Sequence, residues 1–481
     1  MSAAPKMPLV EASSYRGISS SNPFWYGNLI HLYLDLKLGL QLEGAEGVEN
    51  ARKAQKYIRQ AAEASQVVCD LFGGQVLEIH GKTLHLGLEI EGLASVEDQI
   101  KGAAALLHIL LEKSYRGNGP SSWRMAADHG FTLTVSSESI HDDTSLVSLS
   151  PAANLPAKKL GKQGVVGPKQ LGANVNEVWN VEDLPVLVAR YRSRLIAEQE
   201  QVRRLDESHA SVFNFSALSG GQLVTAQAAP VGDPNKENLL SVHAMVMSAD
   251  LDGFTARVAE ASNGTIDDKR RLAEEFLETM RLAAAFAHER KEELIQFPFA
   301  GDNAIFAIVS KTADDYEKLK KVVPIETALA WEDQMGNRAR SARYRGWAQV
   351  AAGGAKPHGN SKGNLHVSGI TLNGRRFLIG IGPGMRHARE GFVQVDPSAK
   401  HIAMWKEDIS GLHPFLGEVF EPCRSENADT SALYKMATFD DLRDAMARLN
   451  QEKFRSVSVL SENKISLATG QVAHRPHCAD R

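Results

Sequence analysis

The 481-residue sequence lacks the features that mark several classes of protein. It has only three cysteines, Cys69, Cys423 and Cys478, with no CxxC pair and no histidine at metal-ligand spacing, so neither a disulfide framework nor a zinc site is predicted. No apolar run reaches the ~18 residues of a membrane span. The N-terminal stretch MSAAPKMPLVEASSYRG lacks the charged-then-apolar order of a signal peptide. We therefore expect a cytoplasmic protein without a membrane partner.

An excess of charge of one sign is also missing. The formal net charge of -4 gives no basic field for counterion release, so a nucleic-acid polymer is not a predicted partner, and the charge leaves a single nucleotide open as a ligand. Hydrophobic residues at 43% and charged residues at 23% are typical of a folded protein. At roughly 100 to 200 residues per domain, the length favours two domains.

Two segments of the chain repeat one order of predicted elements: strand, helix, hairpin, helix, strand. In the first segment the predicted ranges are 28–34, 49–71, 75–80 with 83–88, 96–113 and 123–135. In the second they are 240–249, 266–291, 294–299 with 304–309, 313–334 and 346–352. This order predicts an α+β fold in which each domain has an antiparallel or mixed sheet with helices on one face.

Changes in composition between these segments predict the domain boundaries. Ser-, Ala- and Pro-rich ends without apolar period indicate mobile termini, and the run RYRSRLIAEQEQVRRLDE indicates a charged helix. The predicted parts are a mobile N-terminal arm (1–23), a first domain (24–181), a charged helical connector (182–235), a second domain (236–454) and a C-terminal tail (455–481).

The stretch SADLDGFT places Asp250 where a buried strand turns into a helix. A carboxylate there shares its opening with the backbone N–H groups of the turn, so one site can hold a divalent cation and the phosphates that it bridges. The alternative is that Asp252 is a turn residue and Gly253 a simple position of positive φ.

The stretch FAGDNA places Asp302 at the tip of a predicted hairpin. A Gly-Asp pair is also a common hairpin turn without any other role. Together, Asp250 and Asp302 can meet at one end of a sheet and hold two metals. Such metals, roughly 3.5–4 Å apart, stabilise the attacking and leaving oxygens of an in-line displacement.

The motif D-L-D-G-F-T, followed about fifty residues later by Gly-Asp between apolar strands, resembles the class III nucleotidyl cyclase family. The resemblance covers roughly residues 28–180 and 238–395 and implies two cyclase-like domains that form an intrachain pseudo-heterodimer. It implies that Asp250 and Asp302 bind two Mg²⁺ or Mn²⁺ ions, with the Leu251 carbonyl as a further ligand. Backbone N–H groups at the start of the following helix would bind the terminal phosphates of a nucleoside triphosphate, at Gly253, Phe254 and Thr255.

The family takes an Asn and, four residues later, a basic residue from the opposite domain, and the stretch AANLPAKKL is similar to that motif. The resemblance implies that Asn154 orients the ribose and that Lys158 replaces the usual Arg at the α-phosphate. Lys lacks the bidentate fork of Arg. A surface helix with solvated lysines is the alternative.

The reciprocal site is predicted to be broken. The first domain keeps Asp35 but has Gly81-Lys82 where Gly-Asp is needed, and an ammonium group cannot ligate Mg²⁺. The second domain has MRHAR at 385–389, without the required Asn. We therefore predict one working site, which is assembled from both halves of the chain.

Base recognition departs from the adenylyl pattern, in which a Lys lies three residues before the hairpin Gly. Glu78 and Pro298 occupy those positions. An ionised Glu78 only accepts hydrogen bonds, which favours the cytosine amino group or the guanine N–H groups. A solvated residue at a strand end is the alternative.

Paired cyclase domains without the adenine Lys resemble the bacterial pyrimidine cyclases of the Pycsar antiphage system. That resemblance implies CTP or UTP as substrate, cyclic CMP or cyclic UMP as a second messenger for antiviral defence, and a separate effector protein. A guanylate cyclase and a catalytically silent nucleotide sensor are the alternatives, and the sequence leaves open whether the chain is a monomer or a homodimer.

Overall fold

The computed structural model describes two sheets with their helices. The described residues are 11–19, 21–42, 46–90, 95–115, 119–120, 122–138, 144–153, 165–166, 178–179, 239–251, 254–290, 293–310, 312–339, 349–353, 364–373, 375–382, 385, 401–422 and 434–453. The predicted connector (182–235) and the predicted tail (455–481) lie outside them.

The first sheet is largely antiparallel and carries two long helices. Its strands are β1 (Phe24–Lys37), β2 (Gln75–His80), β3 (Thr83–Glu89), β4 (Ser122–Glu138), β5 (Thr144–Leu149), β6 (Val165–Val166) and β7 (Val178–Trp179). They follow the order β2-β3-β1-β4-β6-β7, and β5 also pairs with β4. Alternate residues of β1 point to one face, where they pack with apolar residues of helices α1 (Gly47–Leu71) and α2 (Val96–Tyr115).

The second sheet repeats this plan and extends it. Its strands are β8 (Leu239–Asp250), β9 (Leu294–Ala300), β10 (Asn303–Ser310), β11 (Gln349–Gly353), β12 (Asn364–Leu372), β13 (Arg375–Ile381), β14 (His401–Trp405), β15 (Glu421–Pro422) and β16 (Tyr434–Thr438). Its helices are α3 (Phe254–Ser262), α4 (Ile266–Glu289), α5 (Ala313–Leu319), α6 (Val323–Ala339), α7 (Lys406–Ile409), α8 (Pro414–Gly417) and a helix over residues 439–453. Aromatic side chains from helices and strands fill its core, among them Phe254, Phe276, Phe286, Phe306 and Trp331.

The predicted repeat of elements is confirmed, and the fold is a mixed α+β fold as predicted. In each unit the first strand lies between the hairpin and a later antiparallel strand: β1 between β3 and β4, and β8 between β10 and β11. One predicted helix, 313–334, is instead two helices, α5 and α6. The break is at residues 320–322, and Pro324 follows in the first turn of α6, where its missing N–H costs no intrahelical hydrogen bond.

The described part of the predicted N-terminal arm (1–23) packs against the first sheet. A 3₁₀ helix spans Tyr15–Gly17, and the Tyr15 ring is buried, with its centroid 5.1 Å from that of Trp25. The Tyr15 N–H donates to Glu89 Oε1 at 3.3 Å. One large aromatic side chain therefore anchors a segment that has no apolar period, and residues 1–10 lie outside the described part of the chain.

Each unit contributes side chains from a pair of its strands to the core of the other unit. Side chains of β4 and β5 join the core of the second unit beside α4, namely Leu133, Val135, Val147 and Leu149. Side chains of β12 and β13 join the core of the first unit beside α1, namely Ile370, Leu372, Phe377, Ile379 and Ile381. This reciprocal packing is compatible with the predicted pair of domains within one chain. Within the described residues, no helix combines the length and the apolar composition that crossing a membrane requires.

Candidate metal and nucleotide site

Asp250 and Asp302 come together because two neighbouring strands carry them. Asp250 is the last residue of β8, and Asp302 lies in the turn that joins β9 to β10. Strands β8 and β10 pair antiparallel with Ala249 opposite Ala304, so both carboxylates reach the same edge of the sheet. Gly301 opens the turn at φ +61°, a conformation that a two-residue hairpin turn requires and that glycine adopts without strain.

The two carboxyl groups are hydrogen-bonded to each other. Burial, together with the negative charge of Glu78, raises the pKa of Asp302 to about 6, against the hydrogen bonds from its own backbone and with Asp250. Two carboxyl groups this close can share one proton, which relieves the repulsion between their charges. A cation would replace that proton.

The donor set fits a hard divalent cation. Carboxylate oxygens are ligands that Mg²⁺ and Mn²⁺ prefer, and Leu251, next in the chain and buried, could add its backbone carbonyl. The described residues contain no group of three or more His, Cys, Asp or Glu side chains that could hold a metal ion. The remaining ligands would therefore be backbone oxygens, water or the phosphates of a bound nucleotide, which is the usual manner of Mg²⁺ binding.

The shared proton predicts a pH-dependent effect of Asp302→Asn on stability. The folded pKa of about 6 exceeds the ordinary 3.8, so the folded state holds this proton more tightly than the unfolded state. The stability contribution of Asp302 is therefore lost as the pH rises from about 4 to about 6. Without metal, Asp302→Asn should have the stability of wild type near pH 4 and exceed it by on the order of 2 kcal/mol above pH 6.

Thermal unfolding of wild type and Asp302→Asn in EDTA, at about pH 4.5 and about pH 7.5, measures this difference. Comparing the two proteins at each pH removes the titration of the buried histidines, which is common to both. Added Mn²⁺ should reverse the order at the higher pH by stabilising wild type alone. A difference in unfolding temperature that does not change with pH would contradict the assignment of the shared proton.

Helix α3 begins close to this edge. The Phe254 ring is buried and lies 5.2 Å from the Phe276 ring between centroids, which anchors the first turn of the helix. The first N–H groups of a helix have no partner within it, so those at Phe254 and Thr255 are suited to bind phosphate. Asp252 and Gly253 lie outside the described residues.

At the equivalent position in the first unit, two cationic side chains contact the carboxylate. Asp35 ends the corresponding part of β1, and Gly81 has a positive φ of +55°, close to the +61° of Gly301. Lys82 Nζ and Arg124 Nη2 each lie 3.2 Å from Asp35 Oδ2, and the Thr83 hydroxyl donates to Oδ1 at 3.0 Å. Two cations therefore neutralise the carboxylate that the sequence identifies as the remnant of a metal ligand.

Glu78 is buried, so the alternative of a solvated strand end is wrong. Its Oε1 accepts a hydrogen bond from the Gly301 N–H at 3.1 Å, and its Oε2 lies 3.5 Å from both His80 Nε2 and His85 Nδ1. Burial opposes ionisation, but the contacts with His80 and His85 outweigh it and hold the pKa of Glu78 well below its usual range. Glu78 is thus an ionised carboxylate at the boundary between the units, next to the turn that carries Asp302.

Asn154 and Lys158 lie outside the described residues, as do residues 386–389. The chain is described as far as Ala153, at the end of a helical turn over residues 151–153 that follows β5. Ala152 and Ala153 are buried, and the Ala152 N–H donates to Ser150 Oγ at 3.1 Å. The roles of Asn154 and Lys158 stay predictions.

Sequence reasoning missed the residues that support Glu78. His31 and His85 are fully or almost fully buried in otherwise apolar strands. A single histidine within a predicted apolar strand was the available signal, since a buried polar side chain needs a hydrogen-bond partner. The sequence offered no sign that Arg375, in a strand that was not predicted, would contact β2.

Comparison with known proteins gives no match to a family model and none to a curated protein. A solved structure of a class III adenylyl cyclase-like ATP-binding protein from Pseudomonas aeruginosa is similar at 16% identity, with a TM-score of 0.64 over 91% of this chain and 95% of that chain. A bacterial light-regulated adenylyl cyclase matches at 11% identity over 88% of this chain and 99% of that chain, with a TM-score of 0.30. The guanylyl cyclase Cya2 matches at 13% identity over 28% of this chain and 70% of that chain, with a TM-score of 0.23. The first similarity shows that the fold is class III cyclase-like over most of the chain.

Proposed function

We propose that the protein is a metal-dependent nucleotide cyclase, which converts a nucleoside triphosphate to its 3′,5′-cyclic monophosphate and pyrophosphate. The observation that carries this proposal is the contrast between two equivalent positions of one cyclase-like fold. Asp250 and Asp302 form a hydrogen-bonded carboxyl pair at one, while Lys82 and Arg124 neutralise Asp35 at the other. Of these two positions, the one in the second unit is therefore suited to divalent cations.

The reaction forms a bond between the ribose 3′-oxygen and the α-phosphorus and breaks the bond from that phosphorus to the bridging oxygen. Pyrophosphate leaves in line, and the 3′-hydroxyl proton passes to solvent. Divalent cations at Asp250 and Asp302 would supply neutralisation of phosphate charge and acidification of the 3′-hydroxyl. The N-terminus of α3 binds the terminal phosphates, and Asn154 and Lys158 hold the ribose and the α-phosphate. Catalysis by these residues is orientation and electrostatics.

The proposed substrate is a pyrimidine nucleoside triphosphate, with CTP preferred over UTP. In support, Glu78 and Pro298 occupy the positions where the adenylyl pattern has its Lys. Because Oε1 of Glu78 is bonded to Gly301, a cytosine amino group would donate to Oε2, beside His80 and His85. Cyclic CMP would then act as a messenger in antiviral defence, read by a separate effector protein.

Incubation with CTP, UTP, GTP and ATP in the presence of Mn²⁺, with identification of products by mass, tests both levels of this proposal. We expect cyclic CMP as the main product and no cyclic product from Asp302→Asn. Comparison of kcat/KM among the four triphosphates gives the preference. A preference for GTP would indicate a guanylate cyclase and refute the pyrimidine assignment, while leaving the cyclase chemistry in place.

A catalytically silent nucleotide-binding protein is the second candidate. It is favoured by the Pseudomonas aeruginosa structure, which is of a cyclase-like ATP-binding protein, and by the contacts that already engage both oxygens of Glu78. Calorimetric binding of a triphosphate with Mn²⁺, without release of pyrophosphate from any of the four, would establish this candidate and exclude the cyclase.

A further inference from the structure

Strand β2 contacts the second unit at two adjacent points. Arg375 donates from Nη1 to the Val76 carbonyl at 2.6 Å and from Nη2 to the Leu77 carbonyl at 3.3 Å. The next residue, Glu78, accepts from the Gly301 N–H at 3.1 Å. The pairing of β2 with β3 shifts register between Val76 and Glu78, and such a bulge bends the strand and leaves backbone groups free of the ladder. The irregular part of β2 is therefore the part that binds the other unit.

Arg375 secures the backbone on one side of Glu78. Its guanidinium carbon lies 4.9 Å from the centre of the Phe377 ring, which fixes its plane. Burial lowers the pKa of Arg375 to about 10, so the group is still cationic at neutral pH and its hydrogen bonds to the two carbonyls are charge-assisted.

A buried chain of hydrogen bonds secures Glu78 on the other side. The Thr132 hydroxyl donates to the Gly130 carbonyl at 3.1 Å, so it accepts from His31 Nε2–H at 2.8 Å. Burial lowers the pKa of His31 well below its usual value, so His31 is neutral and its Nδ1 accepts from His85 Nε2–H at 2.9 Å. His85 Nδ1 faces Glu78 Oε2 at 3.5 Å. The hydrogen bonds run from His85 through His31 and Thr132 to the Gly130 carbonyl, so they fix the His85 ring that contacts Glu78.

The Tyr33 ring holds His85 in place. The two rings stack with centroids 4.0 Å apart and planes at 11°. The orientation of Glu78 is consequently fixed through two strands of its own sheet before it reaches across to the metal-binding turn.

We propose that Glu78 is a positioning residue that fixes the Gly301–Asp302 turn from the opposite unit, so that the metal site depends on the docking of β2. The inference rests on the proposed function of Asp250 and Asp302 as metal ligands. The Gly301 N–H immediately precedes Asp302, and an N–H at this half-buried turn that loses its acceptor favours rotation of the peptide toward another partner. Such rotation moves the Asp302 carboxylate away from Asp250.

Two substitutions of Glu78 distinguish this role from base recognition, because each removes a different property of the side chain. Glu78→Asp keeps the negative charge but withdraws the oxygen from Gly301 by one methylene. Glu78→Gln keeps an oxygen for Gly301 and places an NH₂ group beside His85 Nδ1, but it removes the charge. Glu89→Asp and Glu89→Gln are matched controls, because Glu89 also accepts from a backbone N–H, that of Tyr15, within the first unit.

Mn²⁺ binding to the full chain, measured by electron paramagnetic resonance, together with kcat/KM for the four triphosphates, tests the proposal. Partners in the outer shell of a metal site typically change affinity by roughly 10- to 100-fold. We expect Glu78→Asp to weaken Mn²⁺ binding by that factor and to lower turnover of every triphosphate. The Mn²⁺ affinity of Glu78→Gln should stay within a few-fold of wild type, and both Glu89 variants should have the Mn²⁺ affinity and turnover of wild type.

Two results would overturn the proposal: wild-type Mn²⁺ affinity in Glu78→Asp, or a greater loss of Mn²⁺ affinity in Glu78→Gln than in Glu78→Asp. The first indicates that Glu78 does not position the turn, and the second indicates an effect of its charge alone. If wild type binds Mn²⁺ but forms no cyclic product, the proposed function fails while the Mn²⁺ comparison still decides the role of Glu78. Thermal unfolding of each variant identifies any loss of affinity that comes from misfolding.

Discussion

Asp302→Asn and Asp250→Asn should each lower kcat by roughly a thousandfold or more while the protein stays folded. Two-metal stabilisation of an in-line displacement contributes several kcal/mol to the transition state, and each 1.36 kcal/mol is a factor of ten in rate. The fold should survive because neither side chain belongs to the apolar core. Without a cation, burial of the carboxyl pair destabilises the folded state, so removing one charge relieves this destabilisation. Initial rates with Mn²⁺ and saturating triphosphate, alongside the unfolding temperature, measure both effects.

Lys82→Ala is the matched control for this pair. Lys82 occupies the turn position of the first unit that Asp302 occupies in the second, and its side chain is 43% exposed. Asp35 keeps Arg124 and the Thr83 hydroxyl after the change, so little stability should be lost. Turnover should equal that of wild type. Substantial activity in either aspartate variant would mean that the metal ligands are misassigned, and a comparable loss in Lys82→Ala would point to a structural effect.

The acidic pair could be predicted from sequence because its determinants are local. An apolar run that ends at Asp250 predicts a strand end, and Gly301 followed by Asp302 predicts the tip of a hairpin. When these two strands pair as neighbours, the strand end and the hairpin tip lie at the same edge of the sheet, so both carboxylates lie there. The neutralised position could be predicted in the same way, because Gly81 and Lys82 occupy the corresponding turn of the first unit.

The environment of Glu78 could not be predicted in this way. Its hydrogen bond to Gly301 joins residues 223 positions apart, and the bonds of Arg375 to β2 span 299 and 298 positions. Periodicity reports which face of a strand is buried but not which other unit covers it. The sequence therefore left open a solvated strand end for Glu78, whereas packing between the units buries it against a turn.

Packing also decided two smaller features. Residues 11–19 have no apolar period, yet burial of Tyr15 orders them, because one aromatic side chain removes a large apolar area from water. The predicted helix 313–334 divides into α5 and α6 at residues 320–322, where the Lys321 carbonyl accepts from the distant His413 N–H at 2.9 Å. In both cases a contact lies outside the window that a sequence pattern samples.

Asn154→Ala and Lys158→Ala should each lower kcat by roughly 100- to 1,000-fold without changing Mn²⁺ affinity. Both residues follow the buried pair Ala152 and Ala153 in the sequence, and neither is a proposed metal ligand. Asn154 would hold the ribose in the orientation for attack, and Lys158 would stabilise charge that develops at the α-phosphate, effects that act mainly in the transition state. Lys158→Arg should retain most activity, because a guanidinium restores a cation with two parallel donors.

Lys159→Ala and Arg389→Ala are the controls for this prediction. Lys159 is the neighbouring lysine of the same stretch, and Arg389 belongs to the MRHAR stretch, which the cyclase resemblance assigns to the neutralised position. Both variants should turn over like wild type. Rates at saturating triphosphate, with Mn²⁺ affinity measured separately, distinguish these variants from the aspartate variants, which lose both. Equal losses in Lys158→Ala and Lys159→Ala would show that the stretch contributes only general positive charge, and a loss in Arg389→Ala as large as that in Asn154→Ala would show that both positions are active.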